Sequence, residues 1–169
     1  MQFDGLGGDV SFNSIMTQNK RNLMDLPDAR REGYILKGWY TKKYSGNLIK
    51  KGEQVSNNIT LYAHWEKIKV DRFEICKAEY RNDGGIYLTY KEIKSADGFQ
   101  VQWDTNRKFN TKNVTNEYIK KRLSKQYIIK DVRRREVYYI KVRAYRIDSA
   151  GNRIYGKWSA VKQVKLKNK

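Results

Sequence analysis

Apolar and polar residues alternate over short runs separated by turn residues, the period of half-buried β-strands. The cleanest run is Ile59-Thr-Leu-Tyr-Ala-His-Trp65. There Ile59, Leu61, Ala63 and Trp65 share one face, and Thr60, Tyr62 and His64 share the other. Upstream, Met1-Gln-Phe3 reads as a short strand turned by Gly5, Gly7 and Gly8, with a second strand at 11–14. Residues 19–26 predict a helical turn or more, ended by Pro27. Residues 33–40 predict a strand rich in aromatics. After a junction at 67–71 the strand signals repeat. Residues 73–80 form one run. Ile86, Leu88 and Tyr90 alternate after the hairpin signal Asn82-Asp-Gly-Gly85, and Phe99, Val101 and Trp103 after Asp97-Gly98. Residues 127–132 follow, then 137–145, where Tyr138, Ile140, Val142 and Ala144 share a face. A turn at 148–152 leads to a last strand at 158–166. In it Val161 is out of phase with Val164 and Leu166, so a bulge is expected.

This pattern predicts a mostly β chain: a small domain over residues 1–67 and a β-sandwich of about seven strands over 68–169. Composition agrees. The 169 residues include 13 Tyr and 4 Trp, which favour strands, and a single proline, which excludes a Pro-rich stalk. Cys76 is the only cysteine, so no intrachain disulfide or cysteine-based metal site can form. Its place in a strand pattern predicts a small core residue. No apolar run is long enough for a membrane-spanning helix, and no leader, sorting or lipidation motif is visible. With its abrupt strand-like start, the chain reads as an excerpt of a longer protein.

Charge changes the picture. The net charge is +18, from 36 basic and 18 acidic residues. Residues 1–67 hold 10 basic against 7 acidic residues, and residues 68–169 hold 26 against 11. The second half therefore projects a field that attracts polyanions.

Two families are resembled. Phe3, Gly7-Gly8, Leu26-Pro27, Arg31-Glu-Gly33-Tyr34, Gly38-Trp39-Tyr40 and Leu61-Tyr-Ala-His-Trp65 together resemble the Listeria–Bacteroides repeat, the family of the internalin B repeat. Leu6 stands where that family usually has Asn, and Leu36 where it usually has an aromatic. The resemblance implies a small β-grasp-like fold on a bacterial surface protein, with a stalk or adhesive role. Over residues 70–167 the chain resembles a bacterial fibronectin type III domain, an immunoglobulin-like sandwich. The pieces are Gly98-Phe-Gln-Val-Gln-Trp103, Val132 six residues before Tyr138, Tyr138-x-Ile-x-Val-x-Ala144 and Tyr155-Gly-Lys-Trp-Ser159. By that match Tyr138 is the tyrosine-corner residue. Residues 108–122 fit poorly and are expected to form an unusual crossover.

Chemistry-bearing patterns are sparse. With His64 as the only histidine, a histidine metal cluster is excluded, and its strand position points to a structural role. Acidic residues are scattered over turns, and the glycines at 5–8 lack the Lys-Ser/Thr of a phosphate loop. The expectation is no enzyme, no cofactor and no metal site. Basic clusters are the candidates. Lys120, Lys121 and Arg122, near Lys125, form one. Arg133, Arg134 and Arg135 form another, in a turn. Tyr139, Lys141, Arg143 and Tyr145 alternate on the outward face of their strand, giving a cationic stripe edged by aromatics. Such a stripe suits sulfate, phosphate or carboxylate, but long side chains covering the sheet would give the same pattern. Trp39, Trp65, Trp103 and Trp158 are expected in the cores, with stacking on nearby arginine side chains as the alternative for Trp158.

The reading is a non-catalytic spacer or adhesion module of an extracellular or cell-wall-associated bacterial protein. Two alternatives are an anionic-polymer binding module acting through the basic second domain, and accessory domains of a secreted enzyme. The partners implied are an anionic glycan, a cell-wall polymer such as teichoic acid, or a host surface protein. No specific nucleic acid and no membrane span are expected.

Overall fold

The computed structural model describes residues 1–16, 25–55, 58–81, 84–91, 93–120 and 126–166. The helix expected over 19–26 lies outside them except at Asp25 and Leu26, as do Asn82 and Asp83 of the expected hairpin turn. Among the described residues every helix or strand is a strand. The chain forms two compact units: Met1–Ile68 with Ile147–Arg153, and Lys69–Arg146 with Ile154–Lys169.

The first unit contains β1 (Gln2–Asp4), β2 (Asp9–Val10), β3 (Ala29–Arg30), β4 (Tyr34–Tyr40), β5 (Leu48–Ile49) and β6 (Thr60–Lys67). Its main sheet has the order β1-β6-β4-β5, with β1 parallel to β6 and the other pairs antiparallel. β2 and β3 pair separately. The strand expected at 11–14 is realised only as an irregular rung: the Phe3 N–H donates to Asn13 O, and Gln2 bridges Ser14. Alternation decides which side chains are buried. Leu61 and Ala63 face the core with Phe3, Ala29, Trp39 and Ile49. Trp39 meets Phe3 edge-on at 5.1 Å, and its indole N–H donates to Pro27 O at 3.0 Å. A buried Trp keeps its burial gain only if that N–H is satisfied, so Pro27 and Trp39 act as a pair. Trp65 closes the other end, its N–H donating to Gly5 O at 2.7 Å. A Cβ on Gly8 would fall 2.3 Å from the Trp65 ring, so the ring requires glycine there. Residues 147–153 belong to this unit through Asp148 and Ser149. The buried Asp148 carboxylate accepts from Gly33, Ala150 and Asn152 N–H, and the Ser149 N–H donates to Tyr34 O.

The second unit contains β7 (Ile75–Arg81), β8 (Gly85–Tyr90), β9 (Gly98–Asp104), β10 (Thr115–Lys120), β11 (Gln126–Ile129), β12 (Val137–Ile147), β13 (Arg153–Tyr155) and β14 (Lys162–Lys165). The end of β12 and the start of β13 thus fall in the 147–153 segment. One sheet has the order β11-β8-β7. The other has the order β10-β9-β12, with β13 and β14 both on the outer edge of β12. The sheets share one core, with Ile75, Ile86, Leu88 and Ile129 from the first against Phe99, Val101, Ile140, Val142 and Ala144 from the second. This is a β-sandwich.

Three expectations change. The poorly matched stretch 108–122 contains an ordinary strand, β10, antiparallel to β9. Cys76 is exposed rather than core, because the β7–β8 register shifts between Ile75 and Lys77. The final strand is split. Val161 is exposed, and the chain from Gly156 to Ala160 leaves the regular ladder before β14 begins.

Candidate functional site

Three of the four residues of the expected stripe, Tyr139, Lys141 and Arg143, lie half-buried on the face of β12 that points away from the core. Tyr139, Lys141 and Arg143 lie opposite Asp104, Gln102 and Gln100 of β9, and Asn116 and Tyr118 of β10 extend the same face. The edge of β12 explains what covers it. Gly156 N–H donates to Ala144 O, and Ser159 N–H to Val142 O. The Val142 N–H donates to Ser159 Oγ at 3.0 Å. Ser159 thus replaces a ladder partner while Lys157 and Trp158 bulge, and Trp158 lies over the stripe. Arg143 Cζ sits 3.7 Å from the Tyr155 ring centroid and 4.5 Å from that of Trp158. Lys141 Nζ sits 4.7 Å from Trp158 and 4.1 Å from Phe109. The Arg143 Nε–H donates to Gln100 Oε1 at 2.7 Å, and the Gln100 amide donates to Asn116 at 3.0 Å. Burial first, and then the Arg143 charge, pulls the Lys141 ammonium below its ordinary range. Both cations are therefore held between aromatic rings of their own chain. The alternative for Trp158, stacking, is the one present, with lysine as well as arginine.

Tyr145 continues this face but does not edge it as an exposed ring. It is only 3% exposed. Its partner across the sheet is Gly98, where a Cβ would lie 2.4 Å from the Tyr145 hydroxyl oxygen. The ring fills the space that glycine leaves, and Tyr155 covers it edge-on at 6.2 Å.

The remaining candidates are not brought together. Arg133, Arg134 and Arg135 are exposed in the turn before β12. The tyrosine corner organises that turn: the Arg133 N–H donates to the Tyr138 hydroxyl at 3.0 Å. Asp131 and Glu136 share a small polar depression with Arg133 and the buried Asp104. Burial alone would push the Asp104 carboxyl up. Hydrogen bonds from the Thr111 side chain and from the Asn106, Thr111 and Thr105 backbone outweigh it and hold Asp104 below the usual carboxylate range. Lys120 is exposed opposite Gly98, at the other end of β9, about 20 Å away at strand rise. Lys121 and Arg122 lie outside the described residues.

His64 is half-buried, stacks on Tyr40 at 3.9 Å and hydrogen-bonds Lys42 O at 2.9 Å through Nε2, which fits a structural role. Among the described residues, no group of three or more His, Cys, Asp or Glu could hold a metal ion.

One feature was not legible in the sequence. The first unit carries an open groove of about 790 Å³. Arg31, Tyr34, Lys37, Lys43, Tyr44 and Trp65 line it. The hairpin between β4 and β5 folds toward β6, where Lys42 O meets His64, and so brings Lys43 and Tyr44 to one wall. No local run in the sequence announces this, because its cations Arg31, Lys37 and Lys43 are spread along residues 31–43 and Trp65 comes from a different strand.

Among the described residues the architecture is all β, a mixed-sheet unit followed by a sandwich with fibronectin type III strand order. Residues 1–64 match the family described as the Listeria-Bacteroides repeat domain. Similar solved structures include the FN1–FN3 domains of chicken CNTN1, at 13% identity and TM-score 0.49, covering 70% of this chain and 37% of that one. A Fn3-like protein from Clostridium thermocellum is 18% identical, with TM-score 0.42, covering 57% of this chain and 92% of that one. The FN5 domain of Drosophila Lar is 17% identical, with TM-score 0.46, covering 60% and 100%. The chain thus spans 37% of the CNTN1 chain's length. The sandwich itself is assigned from strand order and register. No curated protein matches the chain. Among the described residues no helix is long and apolar enough to cross a membrane.

Proposed function

We propose that this chain is a non-catalytic module of an extracellular bacterial surface protein, and that it spaces and presents a functional head. The observation carrying this reading is the match of residues 1–64 to the Listeria-Bacteroides repeat, followed directly by a sandwich whose most prominent cations are tied up internally. A spacer needs folded, charged, self-satisfied surfaces more than it needs a reactive cleft. The test replaces the module in its parent protein with an unrelated β module of equal length. Retained surface display and retained head activity support a spacer. Loss of head activity with display intact sinks it.

A second reading is favoured by the exposure of Arg133, Arg134 and Arg135 together with the net charge of +18. In it, this turn docks on an anionic polymer of the cell wall or host matrix. Binding to heparin, wall teichoic acid and DNA is measured at low and near-physiological salt, with the triple alanine variant as control. Binding that survives salt and falls in the variant supports this reading. Weak binding to all three that vanishes with salt rejects it, because nonspecific charge attraction is screened.

A further inference from the structure

We propose that the groove of the first unit binds a short stretch of an acidic oligosaccharide whose sugars carry carboxylates. This goes beyond a spacer role, which needs no ligand.

Three observations carry it. The first is shape: about 790 Å³ in an open trough suits an extended chain passing across rather than a small molecule held inside. The second is charge. Arg31, Lys37 and Lys43 line the groove against Asp4. The Asp4 carboxylate already accepts the Leu6 N–H at 2.9 Å, so its charge is partly satisfied by the chain. Among the described residues, the Arg31 side chain makes one hydrogen bond, to Leu6 O at 3.1 Å, while its Cζ lies 4.0 Å from the Tyr34 ring centroid. Stacking fixes the guanidinium, and a fixed fork is suited to a carboxylate. The third is the aromatic surface. Tyr44 is 87% exposed at the hairpin tip, with the Lys43 ammonium 5.4 Å from its ring centroid. A large ring held in water beside Lys43 offers a flat apolar face to the C–H face of a sugar.

The combination selects among anions. A phosphate polymer is satisfied by cations alone and leaves the exposed ring without a role. It would also place phosphates against Asp4. A sugar chain uses the ring for its C–H faces, the cations for its carboxylates and Asp4 as an acceptor for its hydroxyls. The stripe on β12 lacks this opening, because each of its cations already lies over two rings of the chain.

The test is calorimetry on the full chain at near-physiological salt. Fragments of polygalacturonate, hyaluronan and alginate are compared with a neutral galactan fragment and with polyphosphate. Expected is saturable binding of at least one acidic fragment and none of the neutral one. The Lys37→Gln/Lys43→Gln double variant should lose about tenfold in affinity and Tyr44→Ala several-fold, the scale of two partly exposed ion pairs and one stacking face. All three side chains are exposed, so these variants should fold, and melting curves verify it. Replacing Arg133, Arg134 and Arg135 by Ala should leave affinity unchanged. Failure of all three acidic fragments overturns the proposal. So does equal binding of the neutral fragment, an equal loss in the Arg133–135 variant, or polyphosphate binding as tightly through the same residues.

Discussion

The β12 stripe and the groove of the first unit are built from the same kinds of residue, Tyr, Trp, Lys and Arg, at opposite stages of completion. In the stripe Arg143 lies between Tyr155 and Trp158, and Lys141 between Trp158 and Phe109. In the groove Arg31 has one ring beneath it, and Tyr44 stands in water beside Lys43. The contrast teaches that aromatic–cation composition does not mark a binding face. What matters is whether the ring faces and cation faces are already matched by the fold. Where they are matched, the assembly is a stabilising element. Where they are not, it can receive a ligand.

The sharpest way to break the comparison is to remove the central ring of the stripe. Trp158→Ala exposes both cations and leaves a gap beneath the bulge. It should destabilise the sandwich by about 3 kcal/mol, read in denaturant melts. Arg143→Ala should cost about 2 kcal/mol, through the lost stacks and the Gln100 hydrogen bond, with Arg143→Lys recovering only part of it. A stripe that tolerates both changes would be no more structural than the groove.

Acid provides the next separation. The folded pKa of Asp104 lies below its unfolded value, so its contribution is fully present above the unfolded carboxylate range, near pH 4. It is lost as pH falls from there through the folded value. The sandwich should melt lower at about pH 2.5 than at pH 6, and Asp104→Asn should flatten that limb while lowering stability at neutral pH.

The two smallest effects concern the groove. Leu6 lies in the left-handed region at φ 46°. Asn tolerates that conformation better, so Leu6→Asn should stabilise the first unit by about 0.5 kcal/mol. Tyr44→Ala should change stability by less than about 0.5 kcal/mol, despite removing a whole ring. A larger loss would mean that the ring belongs to the fold.

Legibility in the sequence followed the same divide. Alternation located β6, β8 and β12, because each buries alternate residues, and it placed Tyr138, Ile140, Val142 and Ala144 correctly in the core; β4 was read from its aromatic content, since its register shifts between Leu36 and Gly38. β10 was missed because the edge strand Thr-Asn-Glu-Tyr-Ile-Lys is exposed on both faces apart from a half-buried Ile119. β13 was missed because three residues are too short for a period. The stripe was visible as i, i+2 spacing along one strand, but the burial of Tyr145 depends on Gly98, its partner across the sheet. The groove was not visible, since Arg31, Lys43 and Trp65 meet only after the β4–β5 hairpin folds toward β6.

The parallel pairing of β1 with β6 has a mechanical consequence. β1 begins at Gln2 and β6 ends at Lys67, so tension applied at residues 1 and 68 pulls the two strands along their length in opposite directions. The rungs are then sheared together instead of being peeled one at a time. A single-molecule pull across these two points should meet a distinct force peak, and breaking the Gln2–Thr60 rung with Gln2→Pro should lower it. A module loaded in this way would hold its length under strain and yield abruptly.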